Sequence, residues 1–215
     1  KILDESGFKN IWIQPSSGDA GNSLGAALVY QYQEKKEKRK VEDKDSMKSS
    51  YLGPSFSHNQ IESFLTERDV NFSKSTKDEI DEEIADLLAQ GNVVGWFQGR
   101  MEFGPRALGN RSILGDPRIV DMQKRMNIKI KNRESFRPFA PAILDTFKKD
   151  LFDIEYSSPY MLLTRNLSKK YLKDLDPYDT REGIDKVNQI RSIYPAITHM
   201  DNSCRVQTVT KSRNE

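Results

Sequence analysis

An apolar run, Asn92-Val-Val-Gly-Trp-Phe97, leads directly into Gly99-Arg-Met-Glu-Phe-Gly-Pro-Arg-Ala-Leu-Gly-Asn-Arg-Ser-Ile-Leu-Gly-Asp-Pro-Arg118. The run reads as a buried strand. The stretch behind it is punctuated every few residues by glycine or proline, so a long helix or strand is excluded there. Arg100, Arg106, Arg111 and Arg118 have only Glu102 and Asp116 as acidic neighbours in sequence. A shaped turn with surplus guanidinium groups presents forked donors that suit phosphate, carboxylate or carbamoyl phosphate. The competing reading is a structural loop whose arginines pair with carboxylates elsewhere. Glycine, proline and arginine together favour the anion site.

A second basic cluster, Lys129-Ile-Lys-Asn-Arg-Glu-Ser-Phe-Arg-Pro138, lies close behind. If it is extended, Lys129, Lys131 and Arg133 share one face, and Pro138 biases Arg137 away from helix. One basic run is usually a solvated face, but two separated by a short helix point to a shared polyanion. A third constellation is Thr198-His-Met-Asp-Asn-Ser-Cys-Arg205. His199 offers an acid/base or a phosphate donor, and Asp201 offers an orienting group or a Mg²⁺ ligand. Taken alone, the spacing there favours a plain turn at residues 201–203.

Strand and helix signals interleave, which predicts an α/β (α+β) fold. Ile11–Ile13 reads as a short β-like run before the turn Pro15-Ser-Ser-Gly-Asp-Ala-Gly21 and a helical pattern from Leu24. Such a turn lets a backbone approach a ligand, although the spacing alone favours an ordinary β-to-α turn. Gln33–Asp45 is almost purely charged and reads as a linker, so a domain boundary is expected within 31–50. Beyond it, Tyr51-Leu-Gly-Pro54 is a turn. A helix capped by Ser57 or Asn59 follows, then a longer one capped by Thr76 and ended by Gly91. Val120–Met126 reads as helix, and Phe139–Leu144, Tyr160–Leu163 and Arg205–Val209 read as strands. Leu167–Ile190 is a polar excursion or lid.

Composition bounds the function. The chain has 215 residues, with 34 Lys and Arg against 32 Asp and Glu, so no general case for nucleic-acid binding exists. Hydrophobic residues at 36% and charged residues at 31% mark a polar globular chain rather than a disordered one. Cys204 is the one cysteine; no internal disulfide can form, and a reducing cytoplasm fits. It lacks an activating context and reads as structural. His58 and His199 are the two histidines, too few for a histidine-rich metal site. No apolar run approaches the roughly 20 residues of a membrane span. The start at Lys1-Ile-Leu-Asp lacks a signal peptide and reads as a chain entered in mid-protein.

The three constellations, in this order, resemble the NodU/CmcH family of O-carbamoyltransferases. The matching residues are Gly18-Asp-Ala-Gly21 with Leu24-Gly-Ala-Ala27, Tyr51–Pro54, Gly99–Arg118, Lys131–Pro138 with Phe139-Ala-Pro141, Ser158–Met161 and Thr198–Thr208. The resemblance implies that residues 1–30 are the tail of an actin/Hsp70-like ATPase-fold domain. Asp19 would there ligate a metal ion, iron by the family pattern, with further ligands outside this chain. Residues 51–215 would be a YrdC-like domain, a twisted mixed sheet with flanking helices. Such a domain makes carbamoyl-adenylate from carbamoyl phosphate and ATP with Mg²⁺. Its neighbour transfers the carbamoyl group to a hydroxyl of a small-molecule or glycan acceptor.

On this mapping Lys131-Asn-Arg133 matches the Lys-x-Arg half of a YrdC substrate motif, and Arg106, Lys131 and Arg133 carry the chemistry. Arg100, Arg111, Ser112, Arg137, His199, Asp201 and Arg205 would bind substrate or nucleotide. A Ser-x-Asn half expected after Val209 is not in the sequence, so truncation at both ends is expected. A homodimer is compatible with the family. Alternatives are threonylcarbamoyl-adenylate chemistry on tRNA, or an inactive anion-binding or interaction module.

Overall fold

The computed structural model describes residues 2–41, 45–176 and 178–213. Helices and small sheets alternate along the chain, as the interleaved signals predict. α1 (Ile2–Glu5) is a single turn, and α2 (Asp19–Val29) runs on through a wider turn in which Lys35 N–H donates to Tyr30 O at 3.0 Å. No strand forms at 11–13, where Trp12 is 77% exposed; a strand needs a partner, and among the described residues it has none. Residues 42–44 of the expected linker lie outside the described residues.

α3 (His58–Glu67) and α4 (Lys77–Ala89) both begin with capping boxes. Ser57 Oγ accepts from Gln60 N–H while Gln60 Oε1 accepts from Ser57 N–H. Thr76 and Glu79 repeat the exchange. Each box satisfies two backbone donors that the first helical turn leaves unpaired. Gly91, at φ +86°, closes α4 in the left-handed region that glycine enters freely. Replacing Thr76 by Ala is expected to cost about 1 kcal/mol of stability in a urea titration; no loss would mean that the cap is not made in solution.

β1 (Val94–Phe97) and β2 (Arg111–Leu114) form an antiparallel hairpin, pairing Val94 with Leu114 and Phe97 with Arg111. The strand read as buried is in fact half-buried, since Gly95 and Phe97 face outward and Phe97 is 52% exposed. Among the described residues the second sheet has the order β3-β5-β4. β3 (Ala142–Leu144) runs parallel to β5 (Ser203–Val209), and β4 (Leu163–Asn166) runs antiparallel to it, so the sheet is mixed. The predicted strand at 160–163 begins only at its last residue. Pro177 lies outside the described residues; the described part of 167–190 forms short 3₁₀ turns, with Leu172 bridged to Ser192.

β5 is the central strand and carries the core: Cys204 and Val206 are fully buried against Phe152, Ile154, Leu167 and Ile197. Burial pushes the Cys204 thiol up to about 12, which leaves it protonated and structural, as read from the sequence. A second cluster packs Met122 and Met126, from α5 (Met122–Arg125) and the turn after it, against Ala196, Ile113 and Phe139. α6 (Lys148–Phe152) plugs Phe152 into the first cluster. Residues of both clusters line the cleft described next. Among the described residues no helix is long and apolar enough to cross a membrane.

Candidate anion-binding cleft

The first part of the arginine-rich segment, residues 99–110, lies in the connection of the β1–β2 hairpin, while Arg111 opens β2 and Arg118 lies beyond it. A buried carboxylate organises the connection. Glu102, its side chain fully shielded from solvent, accepts from Leu108 N–H at 2.6 Å, Asn110 N–H at 2.9 Å and Arg111 Nε at 3.0 Å. Arg111 also donates to the Gly104 carbonyl. Gly104, at φ +111°, sits against the Ser16 side chain with no room for a Cβ, so the tip of the connection requires glycine. The Tyr51–Pro54 turn braces the same loop from outside. Gly53 N–H donates to Met101 O and Met101 N–H donates to Pro54 O, each at 2.9 Å. Tyr51 Oη and Gln207 Nε2 both donate to the Leu108 carbonyl at 2.7 Å.

This bracing decides the fate of each arginine. Arg111 is held by Glu102. Arg118 closes on Asp116, whose carboxyl falls below its usual range because the Arg118 guanidinium bonds it. Arg100 Nε donates to Gly53 O at 3.0 Å. Arg106 instead lines a cleft of ≈ 620 Å³ together with Lys131, Arg133 and Arg205. Among the described residues the lining of this cleft contains no Asp or Glu. Burial first, then the positive charges of Arg106 and Arg133, push Arg205 below its ordinary value. Cations gathered without carboxylates are electrostatically costly, and a bound anion relieves that cost.

The second basic segment is not extended. α5 continues into a wide turn, Met126–Ile130, in which Lys131 N–H donates to Met126 O at 2.9 Å. Lys129 and Lys131 therefore do not lie on a common strand face; Lys131 and Arg133 reach the cleft from the loop after the turn. Asn132 adopts φ +46°, which bends the chain there. Arg137 pairs with Glu134 at the surface. The remaining walls are apolar or neutral, among them Met126, Phe139, Tyr194 and Ile197, with Ser112 and Gln207 as polar contributors. Ser112 Oγ accepts from Gly109 N–H at 3.1 Å.

The third constellation forms the turn that its spacing favours. Asp201 Oδ1 accepts from Ser203 N–H at 3.0 Å, and Asn202 adopts φ +62° before β5. Hydrogen bonding from Ser203, its side chain first and its backbone N–H after, holds the Asp201 carboxyl below its usual range against the opposing effect of burial. His199 Nδ1 contacts Ser203 Oγ at 3.0 Å, while Nε2 is buried with no protein partner. Burial sets the His199 imidazole below its usual 6.5. The unfolded chain then takes up the proton more readily than the folded one. The stability linked to neutral His199 is present above about pH 6.5 and is lost as pH falls through the depressed folded value. His199→Gln is expected to flatten the decline in stability between about pH 7.5 and pH 5 in urea titrations; an unchanged decline would contradict this.

Asp19 stands exposed in the first turn of α2, and among the described residues no group of three or more His, Cys, Asp or Glu side chains is placed to hold a metal. A single exposed carboxylate is not a coordination set by itself. Of the residues singled out from sequence, Arg106, Ser112, Lys131, Arg133 and Arg205 line one cleft, whereas Arg100, Arg111, Arg137, His199 and Asp201 do not. Gln207 and Phe139, read from sequence as strand residues and as part of the family pattern but not as site residues, and Asn127, not singled out, are each brought by the structure to the cleft or to its cations.

The hairpin connection, the loop after α5 and β5 thus place four cations in the wall of a cleft that is otherwise apolar or neutral, a chemistry suited to an anion. The particular family is settled by sequence. Residues 85–215 match the family model described as carbamoyltransferase C-terminus, and the chain belongs to that family. It is 49% identical over its whole length to an uncharacterized protein of Synechocystis sp., covering 35% of that protein. The nodulation protein NolO of Bradyrhizobium diazoefficiens is 36% identical over the whole chain, which covers 36% of NolO. The 3'-hydroxymethylcephem-O-carbamoyltransferase of Amycolatopsis lactamdurans is 31% identical over 96% of the chain, which covers 33% of that enzyme. The chain thus spans about a third of the length of these curated relatives.

Proposed function

We propose that this region forms the nucleotide-activating half of an ATP-dependent O-carbamoyltransferase. The observation that carries the proposal is the convergence of Arg106, Lys131, Arg133 and Arg205 on one cleft whose described lining has no carboxylate. On this reading residues 51–215 are a YrdC-like domain and residues 1–30 belong to a preceding ATPase-fold domain. Asp19 would contribute one ligand to that domain's metal.

Carbamoyl phosphate and ATP share what the cleft offers: clustered phosphate charge beside a flat, weakly polar group. Atom balance fixes the steps. Water releases inorganic phosphate from carbamoyl phosphate and leaves carbamate. A carbamate oxygen then bonds the α-phosphorus of ATP, and pyrophosphate departs with the bonding electron pair. Charge grows on the departing phosphates as that bond breaks. Fixed guanidinium and ammonium groups at a half-buried site stabilise it without solvent reorganisation. Mg²⁺ bound with the nucleotide would supply further neutralisation of the same charge, beside Arg106, Lys131, Arg133 and Arg205. The apolar wall excludes water from the carbamoyl-adenylate, which the neighbouring domain would pass to a hydroxyl acceptor.

The test is exchange of labelled pyrophosphate into ATP, in a protein of the relatives' full length that carries this segment. Exchange should require carbamoyl phosphate. Exchange that is absent, or indifferent to carbamoyl phosphate, would overturn the proposal.

A further inference from the structure

We infer that Asn127 is the positioning residue of this cleft, gripping Arg133 so that the forked edge of its guanidinium is presented to the anion. The inference rests on the proposed reading of the cleft and deepens it. Asn127 is fully buried, and its amide is fully used. Oδ1 accepts from Arg133 Nε at 2.7 Å, and Nδ2 donates to Ser135 O at 3.1 Å and Arg137 O at 2.8 Å. The Asn127 carbonyl accepts from Arg133 N–H at 3.0 Å. The two carbonyls fix which end of the amide faces Arg133, because only the oxygen can accept from Nε.

An arginine has five N–H donors, and a partner at Nε leaves the two terminal nitrogens to form a bidentate pair. The Phe139 ring packs against the guanidinium, 5.1 Å from ring centre to Cζ, and limits its rotation. Asn127 is neutral, so it orients the cation without cancelling its charge, which a carboxylate at the same place would do. This separates Arg133 from Arg111, whose Nε is held by Glu102 and which lies outside the cleft lining. The same amide ties the Arg133 side chain to the Ser135 and Arg137 carbonyls of its own loop.

The probe is pyrophosphate, titrated calorimetrically into the 215-residue chain. Asn127→Ala is expected to raise Kd about tenfold while Arg133→Ala raises it about thirtyfold. The decisive readout is their coupling: in the Arg133→Ala background, Asn127→Ala should change Kd less than about twofold. A purely structural Asn127 would add its full effect in both backgrounds, and that result overturns the inference. Unaltered binding in Arg133→Ala would instead sink the cleft reading on which it rests. If Asn127→Ala does not fold, the wild-type chain decides. Its Arg133 Nε–H resonance, assigned by its loss in Arg133→Ala, should be protected from exchange at neutral pH. A resonance exchanging as fast as that of a free arginine overturns the grip.

Discussion

Arg106→Ala is expected to lower carbamoyl-phosphate-dependent pyrophosphate exchange by about 10²–10³-fold, the usual loss when one fixed donor to developing charge is removed. The bracing of the hairpin connection is the reason for so large an effect. Ahead of Arg106, Phe103 N–H donates to Ser50 O. Behind it Tyr51 and Gln207 hold the Leu108 carbonyl and Glu102 holds the Leu108 and Asn110 amides, so Arg106 is carried on a loop whose backbone is fixed at both sides. A rigid donor costs nothing to orient as charge develops, which distinguishes it from a surface lysine that must be immobilised first. Lys131→Ala should fall in the same range. Because both cations act on one anion, the double variant should lose less than the product of the single losses. Exchange retained within a few-fold in both single variants would remove these residues from the site.

Glu102→Ala is expected to cost about 3–5 kcal/mol of folding stability, read from urea or thermal unfolding. The carboxylate meets two backbone amides and Arg111 in a fully shielded position. Its removal leaves buried donors without an acceptor and a partly buried guanidinium without its counter-charge. Glu102→Gln should lie between wild type and Ala, because the amide oxygen keeps one acceptor but the charge is gone. A loss below about 1 kcal/mol for Ala would mean that the loop is organised by something other than this carboxylate.

These expectations differ in how far they could be read from sequence. Ser57-x-x-Gln60 and Thr76-x-x-Glu79 announced their helix starts, because a capping box is local and needs no tertiary partner. Glu102 and Asp116 were the nearest acids to the arginines, and the structure pairs them with Arg111 and Arg118. That left Arg100 and Arg106 without a carboxylate partner among the described residues, but not which of them would enter the cleft. Arg133 and Arg205, which join Arg106 there, are remote in sequence, and only the packing of α5 and β5 brings them near. Asn127 and Gln207 were illegible for the same reason: a buried amide serves whatever polar atoms the fold brings to it.

The misreadings have physical causes as well. Ile11–Ile13 has strand-forming residues, but its neighbourhood supplies no strand to pair with among the described residues. The alternation of Lys129, Lys131 and Arg133 suggested an extended face, yet Met122, Met126 and Asn127 lie on the buried side of a helix that widens into a turn. Burial of the methionines outweighs the charge alternation, which is satisfied by solvent in either conformation.

On the proposed reading, cations from three distant segments serve a single anion. Arginine modification by phenylglyoxal, mapped by mass spectrometry with and without saturating pyrophosphate, tests it most directly. The predicted result is joint protection of Arg106, Arg133 and Arg205, with exposed Arg68 labelled equally in both conditions. Protection of only one of the three, or of none, would contradict it.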